Sequence, residues 1–120
     1  MIEHIHPGDL KAWTEQVNGL HADTPALVLD VREPIEVETA HIQGQASSNG
    51  FEVVYIPMGN ITSRLQELNP QQPVACLCHH GARSMQVARY LVQQGFKKVA
   101  NIEGGIHAWS EQVDSSVPIY

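Results

Sequence analysis

The sequence predicts an α/β fold built on a mainly parallel sheet, and three observations carry that prediction. Short apolar, β-branched runs alternate with stretches of helical periodicity along the chain. The run Ala26 to Val31 is almost continuously apolar, as a strand buried on both faces must be. The length of 120 residues fits one domain, residues 1–120, and leaves no room for a second.

Taken in order, Ile2 to Ile5 reads as a short first strand. Pro7, Gly8 and Asp9 break it, with Asp9 placed to cap a helix. Leu10, Trp13, Val17 and Leu20 then share one helical face. After the strand from Ala26 to Val31, Glu33 and Pro34 open a short helix, because proline is tolerated in a first turn. Residues 41–50 are polar and contain glycine, which predicts a surface loop. Phe51 to Ile56 is the next strand, ended by Pro57. Ile61, Leu65 and Leu68 predict a short amphipathic helix stopped at Asn69-Pro70. Val74 to Cys78 is a compact apolar strand, and His79 to Arg83 a tight loop. Ser84 to Gln94 is a helix with Val87, Ala88, Leu91 and Val92 inward, closed by Gly95 and Phe96. Lys98 to Ile102 is the last strand. Gly104-Gly105 then turns the chain into a final helix with Ile106 and Trp109 inward, and the tail from Asp114 to Tyr120 is irregular.

Composition narrows function. Apolar residues make up 42% and charged residues 17%, an ordinary globular balance that argues against disorder. Seven Lys+Arg face 13 Asp+Glu, a net charge of -6, so nothing supplies the broad basic surface of a general nucleic-acid or anionic-membrane binder. Any anion the protein handles must meet a local positive site. No stretch approaches the length of a membrane span, and residues 1–9 carry neither a basic leader nor a signal-length apolar run. Two cysteines, Cys76 and Cys78, are too few for a disulfide scaffold and sit badly for pairing with each other on one strand. The expectation is a soluble protein of a reducing, cytoplasmic compartment.

The chemistry concentrates in Cys78-His79-His80-Gly81-Ala82-Arg83-Ser84. This loop lies at the C-terminal end of a buried strand and before a helix, where ligands bind in open α/β sheets. Backbone N–H groups of such a loop converge on one point, and the helix dipole adds to them, making a nest for an anion. A cysteine there has its thiolate stabilised by the same groups, Gly81 lets the loop turn, and Arg83 adds a permanent positive charge. A partly exposed thiolate inside an anion cradle is a nucleophile for an anionic substrate. A buried structural thiol is the plainer alternative; the Gly, Arg and Ser that follow argue against it.

Cys-x-x-Gly-x-Arg-Ser resembles the active-site loop of single-domain rhodanese-like sulfurtransferases. Four further segments match that family in order: Leu29-Asp30-Val31-Arg32-Glu33-Pro34, His41-Ile42-Gln43-Gly44, Ile56-Pro57-Met58, and Asn101-Ile102-Glu103-Gly104-Gly105-Ile106 through Trp109. The resemblance implies a five-stranded parallel sheet flanked by helices, and a persulfide on Cys78 as covalent intermediate. Four residues separate Cys78 from Arg83, whereas phosphatases and arsenate reductases on this fold carry one more. The shorter cradle suits a terminal sulfur atom over a tetrahedral oxyanion. Between Gly44 and Pro57 the chain is longer than usual for the family. Gln45 stands where a small Ala is expected, and residues 45–52 look like a loop insertion that could dock a partner.

The implied reaction moves sulfur from a thiosulfate-like donor to Cys78, with the persulfide held by N–H groups from His79 to Ser84. The acceptor is then cyanide, a thiol or a protein cysteine. No metal or organic cofactor is called for. A Cys-x-Cys-His-His cluster raises metal binding, but the second ligand pair of zinc modules is missing. Arg83 either contacts the donor or pairs with an acid such as Glu33 or Glu103. Ser84 either donates to the persulfide or, the preferred reading, caps the helix. His79 and His80 are read as outward-pointing rings that tune donor choice, with solvated loop histidines as the alternative. Asp30 and Arg32 resemble a structural ion pair of the family, His41 packs and hydrogen-bonds, Cys76 is a core thiol, and Trp13 and Trp109 are core aromatics. Competing functions are an oxyanion reductase or phosphatase, an idle partner-binding module, and a sulfur relay whose acceptor is another protein.

Overall fold

A computed structural model describes residues 2–20, 26–41, 51–113, 115 and 117; the side chains of residues 18–20, Leu20 among them, lie outside that description. Five strands form one sheet: β1 (Ile2–Ile5), β2 (Ala26–Asp30), β3 (Phe51–Tyr55), β4 (Val74–Leu77) and β5 (Val99–Ile102). Their order is β1-β5-β4-β2-β3, and every neighbouring pair is parallel. The predicted "mainly parallel" sheet is thus wholly parallel among the described strands. The helices are α1 (Leu10–Leu20), α2 (Pro34–Thr39), α3 (Ala82–Gln93) and α4 (Gly105–Gln112).

Both faces of the sheet are covered, which is why β2, β4 and β5 are buried at every position. Alternation along each strand splits the core in two. On one face Val28, Ala75, Leu77, Ala100 and Ile102 pack with Leu10, Trp13 and Val17 of α1 and Ile106 of α4. On the other, Leu27, Leu29, Val74, Cys76 and Val99 pack with Val87, Ala88 and Leu91 of α3 and with Ile61 and Leu68. Trp13 is buried, its indole Nε1–H donating to Glu3 Oε2 at 3.0 Å; Trp109 is only half-buried against the same cluster, as is Val92 against the other.

Several local expectations are corrected. The helix expected over 61–68 is instead two 3₁₀ turns, Met58–Asn60 and Leu65–Glu67. Gly59, Asn60, Thr62 and Ser63 are poor helix formers. The apolar spacing still fulfils its purpose, because Ile61 and Leu68 are buried. Asp9 does not cap α1: it closes a 3₁₀ turn, Pro7–Asp9, with its N–H on His6 O at 2.9 Å. Helix α3 starts at Ala82, two residues earlier than Ser84, and Cys78 falls just past the end of β4. Phe51 and Glu52, read as the end of an insertion, are strand residues paired with Ala26 and Leu27. The rest of that insertion, and the loop and motif residues 42–50, lie outside the described residues, as does most of the tail from 114.

Candidate active site

Because all strands are parallel, their C-terminal ends share one edge, and there the chain collects its chemistry. β4 lies inside the sheet between β5 and β2, and Cys78 is the first residue beyond it. The chain must then reverse into α3 within three residues. Gly81 makes this possible with φ 109°, a conformation that side chains other than glycine rarely adopt, and it is the N-cap of α3. Its N–H donates to Cys78 Sγ at 3.0 Å. The positive end of the twelve-residue α3 therefore faces the sulfur.

Ser84 and Asn101 build the floor of the loop. Ser84 Oγ lies 2.5 Å from Asn101 Oδ1, 3.1 Å from Gly81 O and 3.4 Å from Cys78 Sγ. A hydroxyl has one proton, and the shortest contact assigns it to the Asn101 carbonyl; rotation brings it to the sulfur instead. Asn101 Nδ2 donates to Gly81 O at 3.2 Å, so one buried amide ties β5 to both the loop and the helix.

The other wall is the start of α4. The N–H of Ile106 donates to Cys78 O at 2.8 Å, and that of His107 to His79 O at 3.1 Å. This approach requires glycine at 105: with φ 60°, a Cβ there would stand 2.5 Å from His79 O and closer still to Cys78 O.

The expected site residues are thus brought to one edge, with differences. Cys78 is only 1% exposed, not partly exposed, because the loop folds back over it against β5 and α4. Ser84 is the third residue of α3 and not its cap; Gly81 takes that place. Arg83 pairs with an acid, but with Glu36 of α2, at 2.6 and 2.8 Å, and with neither Glu33 nor Glu103. Glu33 is the N-cap of α2, and Glu103 meets His4 at 2.5 Å. Ala82 is exposed in the first turn of α3. His80 is exposed, but the ring of His79 is half-buried, stacked on His80 at 4.0 Å, so the two do not both point outward.

The supporting residues, His41 only in part, fall as the sequence suggests. Arg32 and Asp30 form a fully buried pair, with Nε to Oδ1 at 2.9 Å and Nη2 to Oδ2 at 2.7 Å. His41 makes a hydrogen-bond contact as expected, its Nδ1 3.2 Å from Val37 O, but it is exposed and does not pack. Burial, with the neighbouring Cys78, pushes the Cys76 thiol up to about 12, which keeps it a protonated core thiol. Three residues escaped the sequence reading as parts of the site: Asn101, Glu36 and His107. Asn101 left a signal, being a lone polar residue in the apolar run Val99 to Ile102. Among the described residues, one group of side chains could hold a metal ion: His79, His80 and His107.

Comparison with known proteins agrees with this geometry. The rhodanese-like domain description matches residues 9–112. A Bacillus subtilis protein named as a candidate sulfur carrier, YrkF, is 38% identical over 105 residues, 88% of this chain and 51% of that protein, so the chain spans about half of its length. A Pseudoalteromonas translucida protein named thiosulfate sulfurtransferase GlpE is 34% identical over 92 residues, covering 76% of this chain and 79% of its own. The solved rhodanese-like domain protein of Staphylococcus aureus superposes with a TM-score of 0.70 at 28% identity, over 99% of both chains. Motif, sheet order and family match run over the same residues, and the chain belongs to the family of rhodanese-like domains.

Proposed function

We propose that this protein is a thiosulfate sulfurtransferase acting as one domain over residues 1–120, with Cys78 as the catalytic nucleophile. The thiolate attacks the outer sulfur of a thiosulfate-type donor. A new S–S bond forms on Cys78, the donor's S–S bond breaks, and sulfite leaves with the electron pair. Cyanide, a small thiol or a protein cysteine then attacks the outer sulfur, taking it and returning Cys78 as thiolate.

The observation that carries this reading is the Gly81 N–H on Cys78 Sγ at 3.0 Å, at the N-terminus of α3. Negative charge on sulfur is met there by a fixed dipole, at no cost of reorganisation. His79 to Ser84 form the wall around the outer sulfur, and the Ser84 hydroxyl can turn to it. Arg83, held by Glu36, braces the loop. The four-residue spacing from Cys78 to Arg83, one shorter than in phosphatases and arsenate reductases on this fold, supports sulfur transfer over phosphatase or reductase chemistry. The named activity of the Pseudoalteromonas relative points the same way. No helix among the described residues is long and apolar enough to cross a membrane. In a cyanide assay with thiosulfate, Cys78→Ala should lose transfer; full activity in that variant overturns the proposal.

A sulfur relay is the second reading, favoured by the relative named as a candidate carrier. Shortening the insertion at 45–50, ahead of the β3 strand residues Phe51 and Glu52, should then leave the cyanide assay intact and weaken delivery to a protein acceptor. If both are unchanged, that segment does not dock the acceptor.

A further inference from the structure

We propose that His79, His80 and His107 form a binding site for one divalent transition-metal ion of the zinc, nickel or copper class, between the Cys78 loop and the start of α4. Each residue offers a ring nitrogen, and these three atoms lie within 4.8 Å of one another. The backbone holds the two elements together, since the His107 N–H donates to His79 O at 3.1 Å. The rings are gathered accordingly: His80 lies 4.0 Å from His79 and 5.0 Å from His107, centre to centre.

His107 carries the argument furthest. Its Nε2 lies 2.8 Å from Glu111 Oε1, one turn on along α4. A neutral imidazole that donates Nε2–H to a carboxylate keeps its lone pair on Nδ1. That Nδ1 is buried and has no hydrogen-bond partner among the described residues. A carboxylate fixing one nitrogen while the other waits inward is how metal-bound histidines are oriented. Glu111 would be the positioning residue and the three imidazoles the ligands.

The distances fit. Tetrahedral Zn–N bonds of about 2.0–2.1 Å put ligand nitrogens about 3.4 Å apart. The three nitrogens, within 4.8 Å of one another, close by up to about 1.4 Å to reach that separation. His80 is exposed, so a hydrated ion has an entrance and water can complete the fourth position. Three imidazoles and no carboxylate ligand select a borderline ion over calcium or magnesium. The sequence pattern Cys76-x-Cys78-His79-His80 hid this set, because the third ligand comes from the far helix and Cys78 Sγ is turned to Gly81.

The inference does not depend on sulfur transfer, so its test removes the nucleophile. Calorimetric titration of Cys78→Ala with Zn²⁺ should show one ion bound per chain, roughly micromolar or tighter. Adding His107→Ala should weaken binding at least about tenfold, and adding Glu111→Gln in its place about tenfold, since an orienting carboxylate is typically worth that much. Co²⁺ should give a visible d–d absorption band on Cys78→Ala that His107→Ala abolishes. Absence of stoichiometric binding overturns the proposal. So does binding that His107→Ala leaves unchanged, which would place the ion elsewhere. Circular dichroism of the His107→Ala protein keeps a folding defect from passing as a lost ligand.

Discussion

Replacing Gly105 by alanine should loosen the loop that holds Cys78. The added methyl would meet the carbonyl oxygens of Cys78 and His79, which are backbone atoms that cannot swing aside. The start of α4 must retreat by roughly 1 Å to restore ordinary van der Waals separation. Two hydrogen bonds span that gap, Ile106 N–H to Cys78 O at 2.8 Å and His107 N–H to His79 O at 3.1 Å. Each is worth about 0.5–1.5 kcal/mol. A left-handed residue bearing a Cβ adds about 1–2 kcal/mol. The expected loss is therefore about 2–5 kcal/mol. In a domain of this length that lowers the melting midpoint by on the order of 10 °C. Thermal unfolding followed by circular dichroism measures it, and the cyanide assay at a temperature where the variant is folded should show reduced transfer as well. Gly59→Ala is the control, because a Cβ at Gly59 meets nothing within 4 Å. A Gly105→Ala protein that melts within about 2 °C of the parent and turns over normally would refute the reasoning.

Arg32→Met leaves Asp30 charged and buried without its cation, and should cost about 3–5 kcal/mol in denaturant unfolding. Adding Asp30→Leu should recover most of that loss, and a single variant as stable as the parent contradicts the pairing. Ser84→Ala leaves the buried Asn101 Oδ1 without its donor, costing about 1–3 kcal/mol. It also removes the hydroxyl beside Cys78 Sγ and should slow sulfur transfer about tenfold in single-turnover kinetics; an unchanged rate removes Ser84 from the proposed chemistry. Cys76 makes the protein sensitive to alkali. Burial raises its thiol to about 12 in the folded state, so the unfolded chain releases that proton first. Its contribution is complete below the ordinary thiol range and is lost as pH rises from there towards 12. Stability measured against pH should fall more gently in Cys76→Ala, by up to about 1.4 kcal/mol per unit; parallel curves would exclude this cause.

What the sequence made legible was what it repeats in a period or spells in a short motif. The continuous apolar runs fixed β2, β4 and β5, because strands covered on both faces admit no alternation. The cysteine loop was readable because Gly81 and Arg83 follow one nucleophile between a strand and a helix. Illegible was what depends on long-range placement. That Arg83 would find Glu36 follows from how α2 lies beside α3, which no local pattern states. Asn101 reaches Gly81 and Ser84 only because β5 pairs with β4, setting Asn101 opposite Cys76. His107 joins His79 through the turn at Gly104-Gly105. The segment after Pro57 failed for a local reason: its apolar spacing was helical, but its intervening residues favour turns.

The central claim is that Cys78 carries sulfur. Intact mass spectrometry after thiosulfate treatment, with fragmentation to locate the change, tests it most directly. The account predicts a gain of one sulfur atom on Cys78, none on Cys76, and its discharge by cyanide. A Cys78 that stays free and alkylatable under thiosulfate, with no added mass, would contradict it.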